Sequence, residues 1–217
     1  MTFDRRFLLA AGLAAAAAPR LALADPPRLI SAKKLFPFLD LYLGIPAAER
    51  TRFALGYYLK RDGKPWSGAG FTLIGASGAR TPLPVAANGR FARTPALADL
   101  KADAKVEVPP AGQGKFQLSM EMEPLVAMAE VMETGELNAA IAQCATAIKK
   151  NAGILGFAAP KITQVAFIGV PGGTALLAGG KTAALPLLKT LPAYNPVTLQ
   201  GASQLKFARP PARAILA

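Results

Sequence analysis

The feature that most constrains this chain is a strict alternation of side chains at residues 53–60. Phe53, Leu55, Tyr57 and Leu59 occupy one set of alternate positions, and less apolar residues occupy the other. Because successive side chains of a strand point to opposite faces, this pattern predicts a strand with one buried face. Such a strand needs partners, so we expect a largely antiparallel sheet around it.

Turn signals follow the alternating run at short intervals. The Asp-Gly-Lys-Pro segment at residues 62–65 breaks it, since glycine accepts a positive φ and proline fixes φ near a turn value. We expect residues 71–74 to form the return strand. Residues 80–85 predict a short edge strand, because their two prolines cannot donate to a ladder. Asn88-Gly89 predicts a further tight turn.

These turns and strands resemble the small β-sandwich repeat of transthyretin-like and carboxypeptidase-regulatory-like domains. The matching residues are the Gly-Lys-Pro turn at 63–65, the hydrophobic strand at 71–73 and Asn-Gly-Arg-Phe at 88–91, within residues 53–108. The resemblance implies an accessory or binding module without catalytic residues. The alanine-rich leader and the overall layout also resemble those of exported proteins of α-proteobacterial type.

Residues 1–24 have the pattern of a signal peptide. Arg5 and Arg6 precede an apolar run at residues 7–18, which is too short to span a bilayer comfortably. Small residues at 22–24 favour cleavage before Asp25. The paired arginines fit a Tat signal, and an ordinary Sec leader fits as well. We therefore expect a periplasmic mature protein, soluble because no later apolar run is long enough to cross a membrane.

The mature chain divides most readily at residues 109–114, which are rich in glycine and proline. Residues 25–110 predict a leading helix and a sandwich-like β region. Residues 111–217 predict a helical pair followed by C-terminal strands in hairpins. The two regions either form separate domains or one continuous domain. The predicted class is α+β, mainly antiparallel β.

The predicted helical pair follows a strand at residues 115–123, in which Glu121 and Glu123 occupy the outward face. Its first helix begins at Pro124 and ends near Thr134, with Gly135 as an interruption. The second helix covers residues 136–151. Its apolar stripe has helical spacing and consists of Leu137, Ile141, Cys144 and Ile148.

The formal charge is +12, and removing the leader leaves 22 basic and 12 acidic residues. Such an excess favours an anionic envelope surface or an acidic protein partner, or else serves solubility alone. We expect no nucleic-acid partner. The predicted partner surface is the first hairpin tip, with Lys60, Arg61, Lys64 and Trp66. The indole of Trp66 either faces a membrane interface or folds back onto its own sheet.

Several catalytic arrangements are excluded or disfavoured. The chain has no histidine, so it has no Ser-His-Asp triad, no Cys-His pair and no imidazole for zinc. Residues 172–182 lack the glycine that a phosphate loop needs at position 175. Ser203 and Lys206 have the spacing of a serine–lysine pair, but their strand-like context puts them on opposite faces.

Two further groups of residues have candidate chemistry. Carboxylates at Glu121, Glu123, Glu130 and Glu133 could supply a glycosidase pair, although solvated faces explain them as well. Soft sulfur ligands for Cu(I) could come from Met120, Met122, Met128 and Met132. The same methionines could instead fill a strand–helix seam or line a pocket for an apolar small molecule.

Together these observations predict a non-enzymatic binding or accessory protein of the cell envelope, without a cofactor. A methionine-rich Cu(I) carrier is the alternative, and a hydrolase is the third possibility.

The predicted export can be tested by the position of the N-terminus. We expect the protein recovered from its native envelope to begin at Asp25, because the small residues before it are those that signal peptidase reads. Intact-mass measurement checks this. Recovery of the uncleaved chain from the cytosol would contradict it.

Overall fold

The computed structural model describes residues 27–68, 70–109, 115–151 and 161–217. The predicted signal peptide and residues 110–114 of the predicted boundary lie outside these residues.

Fifteen strands, four α-helices and two short 3₁₀ turns make up the described part of the chain. The strands are β1 (Arg28–Ser31), β2 (Phe53–Arg61), β3 (Lys64–Pro65), β4 (Thr72–Ile74), β5 (Arg80–Pro82), β6 (Lys105–Val108), β7 (Phe116–Pro124), β8 (Val131–Glu133), β9 (Val165–Ile168), β10 (Thr174–Leu176), β11 (Thr182–Ala184), β12 (Leu187–Leu188), β13 (Leu191–Tyr194), β14 (Gln204–Lys206) and β15 (Arg213–Leu216). The helices are α1 (Ala32–Leu35), α2 (Leu39–Gly44), α3 (Leu97–Lys101) and α4 (Thr134–Asn151), and the 3₁₀ turns are Ala47–Glu49 and Ala178–Gly180.

The largest sheet has seven strands in the order β12-β13-β9-β15-β7-β2-β3. Its longest pairing joins β2 and β7 in antiparallel register, from Phe53 opposite Pro124 to Arg61 opposite Phe116. One strand of this pair comes from each side of the segment 110–114, so both sides of that segment contribute to one sheet.

Two four-stranded antiparallel sheets accompany the large one. The first has the order β1-β6-β4-β5, and the second has the order β11-β10-β14-β8. All the strand pairings of the described residues are antiparallel. The α+β class with mainly antiparallel sheets is therefore confirmed.

The first hydrophobic core lies where the first four-stranded sheet and α1–α3 meet β2. Leu55, Tyr57 and Leu59 of β2 are buried in it, as the alternation predicts. Three aromatic rings extend it, with centroids 5.1 Å apart between Phe36 and Phe91 and 5.2 Å apart between Phe91 and Phe71. Edge-on contacts of this kind add to the stability that burial provides.

The second core lies among the second four-stranded sheet, α4 and β9, β13 and β15 of the large sheet. Helix α4 buries Leu137, Ile141 and Cys144, so the predicted apolar stripe is confirmed. Phe53, at the start of β2, belongs to this second core. Tyr42 and Met122 pack against both cores, which are therefore joined through β2 and β7.

Several local predictions are confirmed. Strand β5 lies at the edge of its sheet, as expected for a strand with proline. Gly89 has a φ of 84° within the predicted turn. Strands β10 and β11 form one of the predicted C-terminal hairpins, and Gly179 and Gly180 between them both have positive φ.

Two predictions of elements are wrong. The first helix of the expected pair does not form, because residues 125–130 are loop and residues 131–133 are strand β8, which pairs with β14. Helix α4 instead begins at Thr134 and includes Gly135. The strand that returns beside β2 is β3, whereas β4 lies in another sheet, between β5 and β6.

Among the described residues, no helix combines the length and the apolar character that a membrane crossing requires.

The position of Gly135 inside α4 generates a stability prediction. A Cβ at Gly135 would meet no heavy atom within 4 Å, and its φ is not positive. Because alanine loses less backbone entropy than glycine in a helix, we expect Gly135→Ala to raise the free energy of unfolding by about 0.5 kcal/mol. Chemical denaturation measures the change.

Gly169→Ala is the control with the opposite sign. Gly169 has a φ of +89°, and an added Cβ would lie 2.8 Å from the Cβ of Ala212. Backbone strain and overpacking should lower the free energy of unfolding by about 1–3 kcal/mol. A stability loss in Gly135→Ala would contradict the helical assignment of that residue.

Candidate functional site

The predicted partner surface is built on a two-residue turn between β2 and β3. Asp62 and Gly63 have φ values of 51° and 79°, and Arg61 pairs directly with Lys64. A turn that needs positive φ at both central residues favours Asp-Gly, and its twist matches that of the two strands. The local sequence thus fixes where the cations of this hairpin lie.

The three predicted cations surround the turn but point to both sides of the hairpin. Arg61 and Lys64 are cross-strand partners and share one face, whereas Lys60 lies on the other. Lys64 is exposed, and the guanidinium carbon of Arg61 lies 6.0 Å from the ring centroid of Phe116. The charges therefore cover the end of the hairpin rather than one flat face.

Trp66 folds back onto the sheet, which is the second of the two predicted alternatives. Its ring centroid lies 5.1 Å from that of Phe116 and 6.0 Å from that of Phe71, both in edge-on geometry. An added Cβ at Gly68 would lie 2.5 Å from the indole, so the absent side chain there makes room for the ring. Trp66 therefore supports the hairpin from within.

Lys115 joins this surface and was not predicted. Its backbone N–H donates to Asp62 Oδ1 at 3.1 Å, and its carbonyl accepts from the Asp62 N–H at 3.1 Å. The two residues are 53 positions apart, so no local pattern indicates the contact. We call Lys60, Arg61, Lys64 and Lys115 the basic hairpin tip.

A second polar group lies on the face of β2 and β7 that is opposite to Leu55, Tyr57 and Leu59. Solvated carboxylates were expected on this face. The side chains of Glu121 and Glu123 are only 16% and 13% exposed, so that prediction is wrong for both. Arg90 donates to Glu123 Oε2 from Nε at 3.1 Å and from Nη2 at 2.9 Å. The Tyr58 hydroxyl donates to the other oxygen of Glu123.

Arg213 completes this group from strand β15. It donates to both carboxylate oxygens of Glu121, and its guanidinium carbon lies 4.1 Å above the ring centroid of Tyr58. We call Tyr58, Arg90, Glu121, Glu123 and Arg213 the charged sheet cluster. Gly56 makes room for it, because a Cβ there would lie 2.8 Å from Glu123 Cδ.

Burial and pairing set the ionisation of the charged sheet cluster. Burial, together with the hydrogen bond and the charge of Glu123, raises the pKa of Tyr58 to about 12. Burial alone lowers the pKa of Arg90, but the hydrogen bond and charge of Glu123 outweigh it and hold that pKa above its ordinary value. Burial lowers the pKa of Arg213. Both arginines nevertheless stay cationic at neutral pH.

The charged sheet cluster consists of two ion pairs, in each of which an arginine neutralises a glutamate. Each carboxylate accepts charge-assisted hydrogen bonds from an arginine, and within the described ranges every buried side-chain nitrogen or oxygen has a hydrogen-bond partner. We interpret the cluster as a polar clamp that connects β15 and residue 90 to the pair β2–β7. A satisfied network of this kind stabilises one arrangement of strands.

The other predicted carboxylates and the cysteine lie apart from this cluster. Glu130 follows a loop and Glu133 ends β8, where it accepts a hydrogen bond from Gln204 at 2.8 Å. Cys144 is fully buried, and that burial raises the pKa of its thiol to about 12. It therefore behaves as a small apolar side chain.

Met120 lies apart from the other three methionines, which lie in or against the second core. Met120 is 41% exposed, whereas Met132 is 3% exposed in the second core. Met122 contacts both cores, and Met128 lies in the loop before β8. The expected seam between a strand and a helix is absent here, since residues 125–133 contain no helix. Three or more His, Cys, Asp or Glu side chains suited to a metal ion do not cluster anywhere in the described part.

Two hollows on the surface are open to solvent. One of about 420 Å³ lies beside the ion pair of Glu49 and Lys150, whose atoms are 2.6 Å apart. The other, of about 560 Å³, lies between the turn after β4 and the segment that leads into α3. Neither includes the methionines, the basic hairpin tip or the charged sheet cluster.

No family model, curated protein or solved structure matches this chain.

The shifted pKa of Tyr58 generates a prediction about alkaline stability. An unfolded tyrosine ionises near its ordinary pKa of 10.0, whereas folded Tyr58 stays neutral up to about pH 12. The folded pKa is the higher, so the stability that Tyr58 contributes is complete below pH 10 and is lost as pH rises towards 12. We expect the free energy of unfolding to fall less steeply over this window in Tyr58→Phe than in the wild type.

Tyrosinate absorbance during alkaline titration of the folded protein provides the direct measurement. The step near pH 12 should disappear in Tyr58→Phe and remain in the control Tyr42→Phe. Ionisation of Tyr58 near pH 10 would show that the hydroxyl is not buried against Glu123.

Proposed function

We propose that this protein is a non-enzymatic accessory or binding protein of the cell envelope. Its basic hairpin tip contacts an anionic envelope surface. The observation that carries the proposal is the pair of hydrogen bonds that Asp62 makes with the backbone of Lys115, one through its carboxylate and one through its N–H, because they bring a fourth cation to the turn. Four cations then surround a single carboxylate, in a chain with a formal charge of +12.

The arrangement of the cations favours a lipid surface over an acidic protein. Lys60 points to one side of the hairpin and Lys64 to the other, so the charge is spread over both faces at this end of the sheet. Charge on both faces can approach a plane of anionic headgroups without needing specific partners. Each cation near such a surface contributes about 1 kcal/mol, which gives a weak and reversible contact.

Three observations support a non-enzymatic role. The chain has no histidine, and its one thiol is buried. The carboxylates of the charged sheet cluster are occupied by arginines. Lys206 lies on the short strand β14, which does not present it as the helical partner of Ser203.

Periplasmic location, by Tat or Sec export, completes the proposal. It is supported by the arginine pair and the apolar run that follows it near the start of the sequence. An anionic membrane surface is available to a protein exported to that compartment.

Vesicle co-sedimentation tests the role of the tip. We expect the protein to bind vesicles with anionic headgroups at low salt and to bind neutral vesicles weakly. The variant Lys60→Gln, Arg61→Gln, Lys64→Gln should lose most anionic binding, and adding Lys115→Gln should weaken it further. Binding should also fall as salt shortens the screening length from about 30 Å at 0.01 M to about 3 Å at 1 M.

The matched control changes three exposed lysines elsewhere, Lys161→Gln, Lys181→Gln and Lys206→Gln. It removes the same charge and should retain anionic binding. Equal losses of vesicle binding in both variants would indicate that the positive charge serves solubility in general and not a contact at the tip. Retained vesicle binding by the tip variant, with lost binding to a polyacidic protein, would favour an acidic protein partner instead.

A further inference from the structure

The hollow of about 560 Å³ beside α3 has walls of mixed chemistry. One wall belongs to β4 and β5, where Leu73 and Thr81 pair directly and share a face. The other wall belongs to α3 and the segment before it, and the turn between β4 and β5 contributes further lining residues. The volume lies within the range of about 300–1,000 Å³ that small-molecule sites occupy. We call this the α3 hollow.

The walls of the α3 hollow are fixed by contacts within the protein. The Gly75 N–H donates to the carbonyl of Ala79 at 2.9 Å, which closes the turn between β4 and β5. On the other side, the Ala96 N–H donates to Asp99 Oδ2 at 2.9 Å, and Leu100 anchors α3 in the first core with 0% exposure. A site whose walls are already ordered loses little conformational entropy when a ligand binds.

Polar side chains of the hollow have hydrogen-bonding capacity that the protein does not use. None of the ion pairs among the described residues includes Arg93. The hydroxyls of Thr81 and Thr94 make no hydrogen bond to any other residue that the structure describes. All three residues line the same hollow, so their polar groups are available to one ligand.

The charges that line the hollow are one cation and one carboxylate, Arg93 and Asp99. Oδ2 of Asp99 is engaged at the start of α3, which leaves Oδ1 to accept a hydrogen bond from a ligand. The nearby pair of Arg80 and Glu107 lies on the opposite face of its strands from Thr81, so it adds no charge to the hollow.

This set of groups favours a carboxylate over a phosphate. A dianionic phosphate would face the carboxylate of Asp99. The backbone N–H groups of Gly75, Gly78 and Ala96, which could otherwise hold a phosphate, already donate within the protein. A carboxylate needs only the two parallel hydrogen bonds that one guanidinium provides. The threonine hydroxyls and Asp99 Oδ1 match ligand hydroxyls, which both donate and accept.

We propose that the α3 hollow binds a hexuronic acid, a sugar with one carboxylate and several hydroxyls on a compact ring. Arg93 holds the carboxylate, while Thr81, Thr94 and Asp99 bind ring hydroxyls. Five lining residues are alanines, whose methyl groups contact the C–H groups of the ring. This site goes beyond the envelope contact proposed above and uses none of the residues of the basic hairpin tip.

An NMR titration of the isotope-labelled protein with D-galacturonate tests the proposal. The amides of Ser77, Thr94 and Ala98 should shift saturably, whereas those of Ala48 and Gln143 in the other hollow should not. D-galactose has a hydroxymethyl group in place of the carboxylate. It should bind at least about tenfold more weakly, because its contact with the guanidinium is not charge-assisted on both sides.

The same titration distinguishes two sources of the sugar. Tighter binding of a galacturonate oligomer than of the monomer would support the proposal with a polysaccharide as the source. Binding of the monomer alone would support it with the free sugar as the source.

Substitutions in the hollow separate the carboxylate contact from the hydroxyl contacts. Arg93→Gln should weaken galacturonate binding at least about tenfold and leave galactose binding and the melting temperature unchanged. Thr94→Val keeps the shape of the side chain and should weaken the binding of both sugars by about two- to tenfold. The matched control Arg28→Gln removes one charge from β1, at the opposite edge of the same sheet, and should bind both sugars as the wild type does.

Several outcomes would overturn the proposal. These are the absence of saturable shifts at the hollow, equal binding of galactose and galacturonate, and equal losses in Arg93→Gln and Arg28→Gln. Tighter binding of inorganic phosphate or of glycine than of galacturonate would also overturn it.

The outcomes are distinguishable from those that test the basic hairpin tip. The hairpin-tip variant should bind galacturonate as the wild type does, and Arg93→Gln should bind anionic vesicles as the wild type does. Loss of galacturonate binding in the hairpin-tip variant would overturn the assignment of the sugar to the α3 hollow.

Discussion

The fold depends on the antiparallel pairing of β2 with β7. These strands pair over nine positions of β2, and they belong to both hydrophobic cores. Leu55, Tyr57 and Leu59 extend the first core, whereas Phe53 extends the second. Each core alone contains small sheets of two- to four-residue strands and short helices, with α4 as the exception. Without the shared ladder, neither core would have a long sheet to pack against.

This pairing also explains which features could be predicted from the sequence. Alternation in β2, the Asp-Gly turn and the apolar stripe of α4 depend on neighbours along the chain, and all three were predicted. The partner of β2 was not, because Phe53 and Pro124 are far apart in sequence. Residues 125–133 were predicted as helix because their local propensity allows it. Strand pairing with β14 and the hydrogen bond from Leu125 N–H to the carbonyl of Arg52 override that propensity.

The candidate sites likewise combine features that depend on neighbouring residues with features that depend on distant ones. The position of Lys64 follows from local turn chemistry, but that of Lys115 depends on hydrogen bonds between its backbone and the distant residue Asp62. Glu121 and Glu123 were expected to face solvent because their strand alternates. That expectation is wrong because Arg90 and Arg213 come from distant segments and cover them. A strand pattern identifies the face on which a side chain lies, but not what other parts of the chain place over that face.

Strand β15 has a consequence for how the large sheet is completed. It follows every other described strand in sequence, yet it lies in the middle of the sheet, between β9 and β7. A chain that has not yet folded residues 213–216 therefore has two incomplete sheets, each with an open inner edge. Open edges pair readily with other chains, so the incomplete protein is exposed to aggregation until β15 inserts. On insertion, all four residues of β15 pair with β9 and Leu216 pairs with Met122 of β7, while Arg213 joins Glu121.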